Sequence, residues 1–569
     1  MQAANKKIIG TFWLVCASLC ISISWLIPNH YVPWVTFHTD ATMAISLTFV
    51  AAWIVWSTRR EKWKWHWPAI LVAALVAIPI LQFFGNMIPF FGAAWINSAF
   101  LVGLLFSMLI GAQWEEVSPG QCLDCLFMAL GFASLVSVYL AFHQLLHFAN
   151  LEDLAMRMNS ARPGANLAQP NQLATLFLLG MLGAGWGYLR KQLSAPVAIG
   201  LACLFLLGES VTLSRTGWLN LVILLSALTW WGLWSKSVKK VVIAVALGIF
   251  FVICLVGVPH LTSTLLFENN QITDDRFLSG LRPLAWRVFI DASQRELLWG
   301  YGWGQLQIAQ FRVSNDHPNL GAMFNQSHNL FLDFILWNGV LIGALVTAAI
   351  IWWFITSVRR VHNPSDAISI LFLTVMGVHA MLEYPLHYAY FLLPTGMVIG
   401  QCSTRLRFTP AATTRSWSAI VVLVLASGVL GITIRDYFKV ETSFYALLFE
   451  KAHVGKATNG QPPDVLVLTQ MREMIRFARV EPNAKFALKE LDWMRQVVET
   501  TPSNYGINKL ATALAYNGQP QQARLWLQRL CKTSPEEQCA NTKKTWTALT
   551  QSAPYYAAVD WPENRTDKH

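Results

Sequence analysis

The sequence predicts an all-α, polytopic membrane protein: a bundle of about 12–13 spanning helices, one long extracytoplasmic loop and a helical C-terminal domain. Three observations predict it. Hydrophobic residues make up 54% of the 569 residues and charged residues 13%, where soluble chains carry about 25% charge. The mean hydropathy is +0.42. The basic residues, 42 Lys and Arg against 31 Asp and Glu, come in short clusters between apolar stretches and not in one patch. A soluble cytosolic enzyme, a secreted disulfide scaffold and a disordered chain are excluded, and the net charge of +11 does not point to nucleic acid.

A span needs about 20 mostly apolar residues to cross roughly 30 Å of hydrocarbon. Stretches of that kind lie at 8–27, 41–57, 69–84, 93–112, 124–146, 170–189, 195–209, 213–234, 241–258, 328–357, 367–384, 387–402 and 417–434. Several are short, and 195–234 can be divided differently. The first is too long for a removable signal peptide and has no small-residue cleavage site. With Lys6-Lys7 inside and the spans alternating, each basic cluster falls on the cytoplasmic face: Arg59-Arg60 with Lys62 and Lys64, Arg190-Lys191, Lys236/Lys239/Lys240, Arg359-Arg360 and Arg405/Arg407. Positive charge on that face is what fixes orientation. Only the inside loop at 113–121, with Glu115 and Glu116, lacks it.

This topology puts 28–40, 85–92, 147–169, 259–327 and the tail from 435 outside the cytoplasm, in a bacterial periplasm. A membrane domain over 1–434 and a periplasmic domain over 435–569 follow. Within the tail, LATALAYNGQPQQARLWLQRLCKTSP (510–535) has small residues where two helices meet, a Gly-Gln turn and a terminal Pro, as in a tetratricopeptide-like helix pair. FALKELDWMRQVVETTP (486–502) supplies another helix. Cys531 and Cys539 are the only cysteines of the tail, and an oxidising compartment favours a disulfide between them. Cys122 and Cys125 open an apolar span with no second pair nearby, so a buried structural role outweighs metal or redox chemistry. No metal-binding or nucleotide motif occurs, and no cofactor is implied.

Charged groups inside apolar sequence mark the candidate chemistry, because each costs about 2.5–3.5 kcal/mol at a bilayer centre. Arg215 in ESVTLSRTGWLN stands at the outer end of a span. It either snorkels to the headgroups, pairs with Glu209 or serves a site. The loop 259–327, far longer than ordinary connections, balances five arginines against six acids, so anion binding there falls to a few placed guanidinia. In a helix over 281–298, Arg282 and Trp286 share a face, with Leu284, Val288 and Phe289 against the membrane or the bundle. GYGWG (300–304) reads as a tight turn, since no strand precedes it. His328 in NQSHNLFLDFILWNG begins a span, with Asn329 beside it and Asp333 one turn further. MGVHAMLEYPLHYAYFLLP (376–394) brings His379, Glu383, His387 and tyrosines, with Pro385 breaking the helix. ARPGANLAQPNQLATLF (161–177) puts Arg162, Gln169 and Asn171 around a first-turn Pro.

All these residues fall on one predicted face. Two arginines suit a diphosphate, because guanidinium donors are planar, bidentate and permanently charged. A histidine can accept a proton from an attacking hydroxyl near neutral pH, and spans can hold a lipid tail. The chemistry suggested is transfer from a lipid-linked diphosphate to an acceptor outside.

At ARPGANLAQPNQLA, SRTGWL, RPLAW with GYGWG, SHNLFLD and HAMLEYPLHYAYFLLP, in that order, the chain resembles the O-antigen ligase and polymerase superfamily, and more closely the PglL-type bacterial protein O-oligosaccharyltransferases. The resemblance implies en bloc transfer of a glycan from undecaprenyl diphosphate to Ser or Thr hydroxyls of an exported, pilin-like protein, in the inner membrane with the active site facing the periplasm. It implies that Arg215 and Arg282 hold the diphosphate and that His328 activates or orients the acceptor hydroxyl. Arg287, on the same helix as Arg282, remains an alternative, and Trp286, Gln169, Asn171 and Glu383 belong to the substrate-binding wall. No metal is expected. Two other functions stay open: an O-antigen ligase or polymerase, for which the long tail has no evident use, and a transporter of lipid or solute, for which internal repeats are missing.

Overall fold

The computed structural model describes residues 2–146, 154–157, 162–266, 274–454 and 460–562. The side chains of Lys6, Lys7 and Arg276, and most of the 147–161 stretch, lie outside the described residues. Among those described, eleven helices are long and apolar enough to cross a membrane: Phe37–Ser57, Trp67–Phe84, Phe91–Val117, Gln121–Leu145, Pro170–Leu189, Ala195–Thr212, Arg215–Trp234, Val238–Val258, Leu330–Arg359, Pro364–Leu382 and Ser416–Lys451. The helices Gln2–Ile23 and Ala389–Arg405 occupy the two remaining apolar stretches. The chain is an all-α polytopic membrane protein. Their starts are written locally: Ser214 and Asn363 cap the helices that follow them, accepting from the amides of Gly217 and Asp366.

The chain divides into two compact units. The first comprises Met1–Ala74, Phe100–Leu278 and Ile350–Leu430. Its helices meet through small residues, as lipid-embedded helices do when no hydrophobic effect drives them together. Gly111 abuts the carbonyl of Met397 and Gly400 that of Met108, so two helices approach backbone to backbone where any side chain would collide. One end of this unit carries ion pairs. Arg405 bridges Asp366 at 2.7 Å and Glu115 at 3.1 Å, and Arg190 holds Asp124 at 2.8 Å. Lys64 reaches Glu116 at 2.6 Å, so both acids of the 113–121 stretch are paired with basic side chains from other segments. Among the described residues the all-α pattern has one small exception, an antiparallel pair Lys62–Trp65 with Ala412–Arg415. The alternating Lys-Trp-Lys-Trp sequence is a period-two pattern that suits a short strand.

The second unit comprises Leu75–Ala99, Ser279–Ala349 and Gly431–His569. Its last part is helical: Thr469–Arg479, Leu488–Thr500, Asn504–Tyr516, Pro520–Thr533 and Glu536–Ser552. Asn504–Tyr516 and Pro520–Thr533 pack as a pair around Leu510, Leu514, Trp526 and Leu527, turning at Gly518 with φ 77°. Cys531 and Cys539 are joined by a disulfide. The position 434/435 falls inside one continuous helix, Ser416–Lys451.

The stretch 328–357 is not one uninterrupted span. Helix Leu330–Arg359 is broken at Gly339, with φ 77° and ψ 169°, a conformation open essentially to glycine. The cause is the glycine-rich turn before it. Tyr301 donates its amide to Leu336 O at 2.7 Å and Val340 to Leu297 O at 2.8 Å, replacing the helical ladder with bonds to the turn. Gly300, Gly302 and Gly304 all have positive φ, which makes 300–304 a tight turn.

Candidate functional site

In the first unit the Gln169-Pro170-Asn171 start of helix Pro170–Leu189 grips Glu383. Gln169 Oε1 caps the helix by accepting from Gln172 N at 2.7 Å, which fixes its amide so that Nε2 donates to Glu383 Oε2 at 3.0 Å. Asn171 Nδ2 donates to the other oxygen at 2.8 Å. Glu383 lies where helix Pro364–Leu382 ends, two residues before Pro385, and is buried with Asn171. One turn further along, Thr175 Oγ1 meets His379 Nδ1 at 2.8 Å, and Tyr390 donates to Gln172 Oε1 at 2.6 Å. Asp40 accepts from Ala389 N at 2.7 Å and so fixes the start of the following helix. Gln172, Thr175 and Asp40 were not among the residues singled out from sequence. Gln172 could have been found as the residue three after a capping glutamine, and Asp40 as an acid opening an apolar run.

This cradle makes a prediction. Glu383→Gln places an amide N–H₂ against one of the two amide donors, the buried Asn171 or the partly buried Gln169, and Glu383→Ala leaves both without this acceptor. Each is expected to destabilise the protein by about 1–3 kcal/mol, since a stranded buried polar group costs that much. Thermal melting of the purified variants measures it; melting at the parent temperature would mean the carboxylate is not held as described.

Arg215 is the first residue of helix Arg215–Trp234 and is exposed. The pairing with Glu209 is not formed: among the described residues Arg215 has no ion-pair partner, and both carboxyl oxygens of the fully buried Glu209 lack a hydrogen bond. Arg162, from the preceding loop, donates to Leu213 O at 3.3 Å.

In the second unit, helix Asp274–Arg295 carries Arg282 and Trp286 on one face, both half-buried, whereas Arg287 is exposed. Val288 and Phe289 do not face lipid. They are buried with Leu306, Leu320, Phe324 and Leu336, because the loop folds back and supplies its own core, with Leu284 packed at its edge. Trp286 Nε1 donates to Ser327 O at 2.8 Å, tying the arginine helix to the turn that holds His328. That turn is pinned from three sides. Asp333 Oδ1 accepts from Ser327 N at 2.9 Å, Ser327 Oγ donates to Asn329 O at 2.9 Å, and Asn329 Oδ1 accepts from the amides of Phe331 and Leu332. His328 itself has φ 58°, a left-handed conformation costing about 1–2 kcal/mol in an L-residue. Its ring stands edge-on to Phe324 at 5.8 Å. Asp333 therefore acts on the backbone before His328, and Ser327 is a further contributor that the sequence reading passed over. Nearby, hydrogen bonds from Arg295 and from His317 hold the Asp291 carboxyl below its usual range. No group of metal-ligating side chains occurs among the described residues.

The first unit thus holds a carboxylate cradled at a helix start, and the second a strained histidine in a turn tied to an arginine-bearing helix. The comparisons with known proteins supply the class. The O-antigen ligase family model matches residues 196–348, the model for the C-terminal part of virulence factor membrane-bound polymerases residues 368–549, and the protein glycosylation ligase model residues 163–186. Arg215, Arg282 and His328 fall in the first range, Glu383 in the second, Gln169 and Asn171 in the third. A general O-oligosaccharyltransferase of Acinetobacter baylyi is 29% identical over 539 residues, 91% of this chain and 92% of that one. A ComP-specific O-oligosaccharyltransferase of the same organism is 31% identical over 418 residues, 71% of this chain and 73% of its own. The chain belongs to the O-oligosaccharyltransferase family, and it is a glycosyltransferase. The resemblance read from the motifs is borne out.

Proposed function

We propose that this protein transfers a preassembled oligosaccharide from undecaprenyl diphosphate to Ser or Thr hydroxyls of exported proteins, pilin-like proteins among them, at the periplasmic face of the bacterial inner membrane. The hydroxyl oxygen bonds to the anomeric carbon as the bond from that carbon to the diphosphate oxygen breaks. His328 takes the hydroxyl proton, and undecaprenyl diphosphate departs as an anion stabilised by Arg215 and Arg282. Gln169, Asn171, Glu383 and Trp286 shape the substrate wall. Residues 1–434 supply the membrane machinery and 435–569 a periplasmic helical domain.

The observation that carries this reading is the geometry of His328, held in a left-handed conformation at a helix start by Ser327, Asn329 and the buried Asp333. Strain of that kind persists only where the surroundings over-determine it, and it collects at functional sites. The match to the O-antigen ligase model favours a second reading, with lipopolysaccharide as acceptor. Intact-mass spectrometry of periplasmic and pilin proteins, with and without the gene, separates the two. Loss of a glycan mass from an exported protein is expected; an unchanged protein profile beside a lost lipopolysaccharide ladder would establish the second.

A further inference from the structure

The helical tail meets the loop carrying His328 where helix Leu306–Val313 packs on Leu488–Thr500 and at the corner after helix Pro520–Thr533, where the polar contacts gather. Lys532 Nζ donates to His317 O at 2.9 Å, Lys532 O accepts from Leu320 N at 3.3 Å, and Ser534 O accepts from Asn319 Nδ2 at 3.2 Å. Nearly two turns earlier, Trp526 meets the edge of Phe311 at 5.3 Å, and Phe311 is buried in the tail's own core. Lys532 and Ser534 lie between Cys531 and Cys539, whose disulfide closes a separation of eight residues around them. A short covalent ring restricts the backbone it encloses. What it restricts here is a pair of carbonyls and an ammonium directed at the loop. The held segment in turn leads to the histidine: Leu320 and Phe324 share one buried cluster, and Phe324 stands against the His328 ring.

We propose that this disulfide-closed corner is a positioning device for the catalytic loop: Lys532 and Ser534, held by Cys531–Cys539, fix the segment His317–Leu320 and through it the place of His328. The tail then serves the transfer step itself, whatever it also does for acceptor proteins. The inference rests on His328 having the role proposed above. Its mechanism is alignment, and small misplacement of a reacting group costs about 100-fold in rate.

The test uses full-length protein in lipid nanodiscs, a polyprenyl-diphosphate-linked oligosaccharide and a short synthetic Ser-containing peptide too small to need a docking domain. In Cys531→Ser/Cys539→Ser and in Lys532→Met/Asn319→Ala, kcat for the peptide is expected to fall by about 10–100-fold with donor KM unchanged. Lys532→Arg, which still donates to His317 O, is expected to restore most of it. Hydrogen exchange should quicken at 317–328 in the impaired variants while the tail helices keep their protection. Parent kcat in both double variants overturns the proposal, as does an increase in donor KM at unchanged kcat. Equal loss of protection across all tail helices also overturns it, making the corner a stabiliser of the tail alone. His328→Ala in parallel keeps the two ideas apart: if it transfers normally the reading of His328 fails, whereas parent kinetics in the corner variants beside an inactive His328→Ala defeat the corner alone.

Discussion

His328→Ala is expected to insert and accumulate like the parent protein yet transfer glycan at least about 1,000-fold more slowly, within the range that positioned acid–base groups contribute. The size follows from the role proposed for the residue and from how it is held. An alcohol at neutral pH is a poor nucleophile, and removing its proton during attack is the help that an imidazole gives best. The expectation of normal folding has an equally specific source. Ser327, Asn329 and Asp333 pin the turn through backbone amides and their own side chains, so the imidazole can be removed without dismantling it. Alanine is less at ease than histidine at φ 58°, which introduces a modest stability cost. His328→Asn separates the two effects: asparagine tolerates the left-handed region yet offers no base, so it should restore stability and not activity. The assay is transfer from a purified lipid-diphosphate glycan to a serine peptide, with membrane yield measured in parallel. Full transfer by either variant would reduce His328 to a structural residue and move the proton to another group.

The bundle could be read from sequence because its signal is additive: each span is an apolar run that needs no partner to be recognised. The candidate site residues stood out in the sequence for a related reason, since an Arg, His or Glu in such a run has a cost that sequence alone exposes. What stayed hidden depends on contacts between distant segments. Gly339 breaks a span because the turn at 300–304 takes over its hydrogen bonds, and nothing in the apolar run 330–359 announces that. Val288 and Phe289 read as facing either the membrane or the bundle, and only Phe324 and Leu336 show what covers them. Glu115 and Glu116 look out of place on the basic face until Arg405 and Lys64 reach them. The cradle around Glu383 was half legible. Gln169 and Asn171 stood out as polar residues at a helix start, but that both amides close on one carboxylate some 214 residues away is a tertiary fact.

The second large effect concerns which arginine of the loop matters. Arg282→Ala is expected to lower transfer by about 100–1,000-fold, the usual loss when one donor to a developing anion is removed, and Arg287→Ala by less than about tenfold. The two lie about 140° apart around the helix axis, so they cannot serve one ligand equally. Trp286 decides between them. Its indole bonds to Ser327 O and so turns the Arg282 face toward the His328 turn, leaving Arg287 exposed. Arg282→Lys keeps the charge but loses the planar fork, and should recover only part of the rate. Arg215→Ala is expected to match Arg282→Ala, because the exposed guanidinium at the start of helix Arg215–Trp234 has no ion-pair partner among the described residues and is available for an anion. If a guanidinium stabilises the leaving diphosphate, its loss should be smaller for a donor with a better leaving group, so the ratio of parent to variant rates across donors reports the role directly. A larger loss in Arg287→Ala than in Arg282→Ala would reverse the assignment and place the diphosphate on the other side of the helix.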